Sequence, residues 1–182
     1  VVCSPAVSMR RSSGEDRLAR LYVDTVKLGH RATYAERSSF RGAYHAAQRF
    51  VTDLRVVLVL GGPSGTGKTH LAIALGFAAC SAGKKVKFYS VTYLVTQLLE
   101  KREDRQLERF QKQLEKQDLL ILDELGYVPF TKSGAELLFE VISRAYERNS
   151  LIITTNLPFS QWIEVMGNER LTGAMLDRLT HK

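Results

Sequence analysis

The chain has 182 residues, 45% hydrophobic and 25% charged, with a formal net charge of +7. That length and balance fit one soluble globular domain with a real core, without repeats or low-complexity tracts. No run approaches the roughly 18 apolar residues of a membrane span, and the N-terminus lacks the charged-then-apolar order of a signal peptide. Two distant cysteines, Cys3 and Cys80, match no metal or redox spacing, and Cys80 in its apolar run reads as a buried reduced thiol, so a cytoplasmic protein is expected.

Residues 1–50 carry nine Lys/Arg against four Asp/Glu, whereas the other 132 residues carry seventeen against fifteen. Short helical patches such as 16–27 occur there, but no strand and no clean amphipathic period. The first fifty residues therefore read as a separate basic leader. Such a leader is either solvated and poorly ordered or laid along nucleic acid.

From residue 51 onward the pattern changes to that of a second unit, 51–182. Val56–Leu60 (VVLVL) is a continuous apolar run, as suits a strand covered on both faces. Directly after it comes GPSGTGKT, Gly62 to Thr69, which fits G-x-x-x-x-G-K-[ST] between a strand and a helix. Gly62, Gly65 and Gly67 permit backbone angles that turn successive N–H groups toward an anion, and Pro63, Ser64 and Thr66 complete the loop. The following helix, expected over 68–82, adds its unpaired N-terminal donors, with His70 in the first turn. Lys68 suits the β- and γ-phosphates, and the Thr69 hydroxyl suits Mg²⁺. ATP with Mg²⁺ is the expected ligand, with Gly62 to His70 as its binding segment.

Val86–Ser90 (VKFYS) reads as the second strand, and residues 92–117 as one long helix. Arg102, Arg105, Arg109, Lys112 and Lys116 recur on that helix at spacings of 3, 4, 3 and 4, a stripe roughly 80° wide. Leu99, Leu107, Phe110 and Leu114 fall on a different side and are expected to pack. Glu103, Asp104, Glu108 and Glu115 flank the stripe, with Glu108–Lys112 a good i,i+4 pair. A solvated, salt-bridge-laced face is the ordinary reading of this pattern. A surface that tracks DNA phosphates is the sharper one.

The third strand, LLILD, ends at Asp123 and continues into Glu124. Two adjacent acids after four apolar residues sit where ligands of open α/β sheets gather, and they are costly to bury without a cation or hydrogen bonds. Asp123 suits Mg²⁺ through its water shell, and Glu124 suits activation of a water as general base. A water-activating Glu argues against a small-molecule kinase. A helix is expected over 134–148, then a fourth strand, Leu151–Thr155, ending at Asn156. That Asn either feels the γ-phosphate or merely caps a turn. Strand and helix alternating in this way make an α/β fold, a parallel sheet with right-handed crossovers and helices on both faces.

GPSGTGKTHLAIALG, LLILDELGY, SRAYERNSLIITTNLPFSQW and LDRLTH together resemble the IstB/DnaC family over roughly residues 54–181. These are AAA+ P-loop ATPases acting as transposition helpers or replicative helicase loaders. His70, Leu125-Gly126-Tyr127, the Asn156-to-Phe159 block and Trp162 resemble the transposition-helper branch most. The resemblance implies a phosphate and Mg²⁺ site at Lys68, Thr69 and Asp123, with Glu124 acting on the water and Asn156 sensing the γ-phosphate. It also implies Arg178 as an arginine finger acting on a neighbouring subunit's ATP, hence a homo-oligomer. DNA and a transposase, or a replicative helicase, are the implied partners.

Two departures from the family follow. The family continues past LDRLTH with a last strand and a second sensor arginine, so a C-terminally truncated domain lacking that strand is expected. The first strand would then present an unpaired apolar edge, prone to aggregation unless the leader covers it. The missing C-terminal strand leaves an ATP-binding module without turnover as a further reading, and the leader itself does not resemble the family's N-terminal helical region, which engages the transposase or helicase partner.

Overall fold

The computed structural model describes residues 26–28 and 57–180. Five strands form one sheet: β1 (Val26–Leu28), β2 (Val57–Gly61), β3 (Val86–Ser90), β4 (Leu119–Leu125) and β5 (Ser150–Thr155). Their spatial order is β1-β2-β5-β4-β3. The last four are parallel to one another, and β1 lies antiparallel on β2, pairing Val26 with Leu60 and Leu28 with Leu58. The leader was expected to hold no strand; instead three of its residues cover the outer edge of β2. The rest of the leader, including residues 16–25 of the expected helical patch, lies outside the described residues.

The helices are α1 (Lys68–Ser81), α2 (Val91–Glu103), α3 (Leu107–Glu115), α4 (Lys132–Arg148), α5 (Trp162–Met166) and α6 (Glu169–Thr180), with a short 3₁₀ turn at Phe159–Gln161. Topology fixes which face each covers. The chain steps from β2 across the sheet to β3, then returns through β4 to β5. Right-handed crossovers in opposite directions must pass over opposite faces. So α1 covers one face, meeting Leu58, Leu60, Ile121 and Ile152. The other face carries Val59, Leu122 and Ile153 against α2, α4 and the C-terminal helices, in a core that includes Leu94, Leu138, Trp162 and Met175. The continuous apolar strands are thus divided residue by residue between two cores, as the period of two requires.

The long helix expected over 92–117 is two helices. Gln106 N–H reaches Lys101 O at 2.8 Å and Arg105 N–H reaches Arg102 O at 3.2 Å, the bonding pattern that ends a helix with a left-handed residue. Arg105 takes that conformation at φ 58° although it has a Cβ. The five cations therefore do not share one helical face. Arg102 lies in the last turn of α2, Arg105 lies in the link, Arg109 and Lys112 belong to α3, and Lys116 follows it; all five are exposed. Leu99, Leu107 and Phe110 pack on the larger core, which Leu114 joins as a buried member.

Lys112 meets Glu108 at 2.7 Å, as the spacing predicts, and that contact lowers the Glu108 carboxyl below its ordinary range. Glu115 does not flank the stripe. It turns to α4, meeting Arg144 at 2.9 Å and Arg148 at 2.6 Å, and these carboxylate bonds, with those of Glu140, raise the Arg144 guanidinium further. Cys80, expected to be buried, is half-buried near the end of α1. Among the described residues, no helix is long and apolar enough to cross a membrane.

Candidate nucleotide site

The carboxyl ends of β2, β5 and β4 lie side by side, because β5 is inserted between the other two. The loop after β2, the acidic end of β4 and the polar end of β5 therefore converge on one cavity of about 330 Å³. Its wall is built by Ser64, Gly65, Gly67, Lys68, Thr69 and His70 on one side. Glu124, Tyr127, Thr154, Thr155 and Asn156 close the other.

Glycine makes the loop possible. Gly65 and Gly67 hold φ values of 80° and 84°, in the left-handed region that residues with a Cβ avoid. Lys68 folds over the turn, its Nζ donating to the Gly62 and Pro63 carbonyls at 2.7 Å each. Thr66 Oγ1 braces the same loop by donating to Pro63 O at 2.9 Å. Gly62, Pro63 and Thr66 thus shape the cradle rather than line it. Helix α1 starts at Lys68 with no acidic side chain in its first turn, so no residue of that turn offsets its N-terminal partial charge.

Asp123 lies behind the wall, 6% exposed. Its Oδ1 accepts from Thr69 Oγ1 at 3.0 Å and from Thr154 Oγ1 at 2.6 Å. Glu124 is exposed and faces the cavity, with its backbone at φ 61°. Asn156 stands in the wall as well. The turn after β5 is capped by Thr155, whose Oγ1 accepts from Leu157 N–H at 3.1 Å. Arg178 stays away from the cavity: its Nη1 donates to Ala174 O at 2.9 Å and its guanidinium lies 4.8 Å from the Phe139 ring centre. Thr154, Thr155 and Tyr127 were missed in the sequence; the signal was the pair of threonines just before Asn156.

The donor set suits a triphosphate with a hard cation. Backbone N–H groups, an ammonium and a helix N-terminus meet the anion. The oxygens of Thr69 and Asp123 are of the hard-donor type that would hold Mg²⁺. Among the described residues no cluster of three or more His, Cys, Asp or Glu offers a self-sufficient metal cage. The arrangement can hold a nucleotide, and it sets one carboxylate against the Thr69 hydroxyl and another against the open cavity.

Comparison with known proteins agrees. The family model described as IstB-like ATP binding protein matches residues 7–182. It thus takes in most of the leader, which the sequence blocks had left outside the resemblance. A Pseudomonas aeruginosa protein named as an ATP-binding protein of insertion sequence IS21 is 44% identical over 136 residues, 75% of this chain and 51% of that protein. One from Geobacillus stearothermophilus, named for insertion sequence IS5376, is 42% identical over 132 residues, 72% of this chain and 52% of that protein. The chain spans about half the length of these curated relatives.

Among solved structures, the DnaC helicase loader superposes with a TM-score of 0.66 at 22% identity, covering 91% of this chain and 96% of that one. The replication initiator DnaA bound to AMPPCP and single-stranded DNA gives 0.67 at 21% identity, covering 79% and 46%. Both likenesses establish the P-loop AAA+ fold. Taken with the geometry of the cradle, these matches place the chain in the family of IstB-like ATP-binding proteins.

Proposed function

We propose that this chain binds ATP with Mg²⁺ in the cavity between 62–70 and the β4–β5 ends, and hydrolyses it when assembled with further copies on DNA. The observation that carries this reading is the convergence of Lys68, Thr69 and Glu124 on one cavity at a helix N-terminus, with Asp123 bonded to Thr69 behind its wall. ATP with Mg²⁺ supplies the phosphoanhydride bond and the charge neutralisation. Lys68 holds the anion, Thr69 and Asp123 offer oxygens on the metal side, and Glu124 accepts a proton from water in the open part of the cavity. Asn156 orients that region. Arg178 does not reach its own cavity, in keeping with a finger that serves the neighbouring copy.

The insertion-sequence names of the relatives, at 42–44% identity, favour assistance to a transposase. The helicase-loader likeness, at 22% identity, concerns the fold alone. Capture of a replicative helicase instead of a transposase would reverse that preference.

The direct test is nucleotide binding by the chain and its Lys68→Ala variant. Loss of a charge-assisted bond worth about 1.5–3 kcal/mol predicts roughly 10- to 100-fold weaker binding of ATP. Equal affinity of the two proteins would overturn the site. Turnover that rises more than linearly with protein concentration, and is lost in Arg178→Ala with binding intact, tests the oligomer.

A further inference from the structure

The two acids at the end of β4 present a geometric problem. Successive side chains of a regular strand point to opposite faces, so Asp123 and Glu124 would be separated by the sheet. In this structure both serve one site. Asp123 turns inward to Thr69, and Glu124 faces the cavity.

The register shows how. Leu122 pairs with Ile153 and Leu125 pairs with Thr155, so Asp123 and Glu124 together stand opposite the single residue Thr154. This is a β-bulge, which re-aims side chains at the cost of local ladder bonds. Glu124 adopts φ 61°, a left-handed conformation that residues with a Cβ avoid. Something must hold it there.

Thr154 is placed to do so. It is 1% exposed, and its hydroxyl makes two bonds of opposite sense. It accepts from Glu124 N–H at 2.8 Å and donates to Asp123 Oδ1 at 2.6 Å. The backbone N–H can only donate, so the hydroxyl hydrogen is directed to the carboxylate. One oxygen therefore fixes the backbone of the outer acid and the side chain of the inner one. On the far side of the bulge, Thr155 Oγ1 donates to Leu125 O at 2.7 Å, which closes the distorted segment.

We infer that Thr154 is a positioning residue that locks the bulge and so aims Asp123 at the metal side and Glu124 at the open cavity. The inference rests on the proposed ATP-Mg²⁺ reading of the same site. It names a residue between the two carboxylates whose effect runs through them.

The test compares Thr154→Val, which keeps shape and removes the hydroxyl, with Thr154→Ser, which keeps the hydroxyl. The readout is the affinity of a fluorescent ATP analogue with Mg²⁺ and with EDTA, together with ATP turnover. Removing a group that orients a metal-side ligand predicts that Thr154→Val loses about tenfold of the Mg²⁺-dependent gain in affinity. Its affinity in EDTA should fall less than its affinity with Mg²⁺, and Thr154→Ser should restore the Mg²⁺ gain. A merely structural role would lower the melting temperature without changing the ratio of the two affinities. If the valine variant does not fold, Thr154→Cys, a weak donor of similar size, should give an intermediate ratio. An unchanged Mg²⁺ ratio in folded Thr154→Val or Thr154→Cys overturns the inference. Absence of any Mg²⁺-ATP binding that Lys68→Ala removes would overturn the underlying reading instead.

Discussion

The two walls of the nucleotide site are built on different principles. The cradle, Gly62 to Thr69, is a local structure. Its turns come from glycines adjacent in sequence, and Lys68 bonds to carbonyls five and six residues away. The floor, Asp123 to Glu124 against Thr154 to Asn156, is a tertiary structure. Its bonds span 30 residues or more, from Glu124 to Thr154 and from Asp123 to Thr69. A motif can therefore announce the first wall, whereas the second exists only when β4 and β5 are paired in their bulged register.

The largest expected effect separates the chemistry of the floor from the grip of the cradle. Glu124→Gln should lower ATP turnover by about 10²- to 10⁴-fold, the range for loss of a general base. Equilibrium binding should still retain the nucleotide. A variant that kept its turnover would show that the floor does not supply the base.

Next comes the support under the floor. Leu138, fully buried in the larger core, should cost about 2–5 kcal/mol on truncation to Ala, read by urea denaturation. A smaller loss would mean that α4 can collapse onto the sheet.

Two glycines sharpen the contrast. A Cβ on Gly126 would lie 2.5 Å from Leu157 Cδ1 at φ 98°, whereas one on Gly65 would meet nothing within 4 Å at φ 80°. Gly126→Ala should therefore destabilise by about 2–5 kcal/mol, from backbone strain plus overpacking, and Gly65→Ala by about 1–2 kcal/mol from strain alone. Equal losses in the same denaturation assay would erase the distinction between a local and a tertiary wall. The smallest effect is expected at the break between α2 and α3. Arg105→Gly relieves a left-handed Cβ at an exposed site and should leave stability unchanged or raise it by at most about 1 kcal/mol. A clear loss of melting temperature would show that the Arg105 side chain itself holds the link.

Much of the fold was legible because the signals were local and repeated. The continuous apolar strands, the helices at 68–81 and 132–148, and the parallel alternation all follow from runs a few residues long. The helix break was not legible. No glycine or proline marks it, and Arg105 accepts strain so that Leu107, Phe110 and Leu114 can turn onto the core that Leu94 and Leu98 already fill. The strand in the leader was hidden for a similar reason. Three residues gain a ladder only because β2 offers them an edge.

Within the site, the sequence by itself determined the cradle, the pair of acids at the end of β4 and the asparagine just after β5. Each of these depends on residue type at fixed spacing, and glycine geometry acts over single residues. Only the tertiary structure decided how the two acids meet at one site, that Thr155 caps the turn after β5, and that Arg178 rests on Phe139. A bulge is a mismatch between two strands, and its consequences cannot be written in either strand alone.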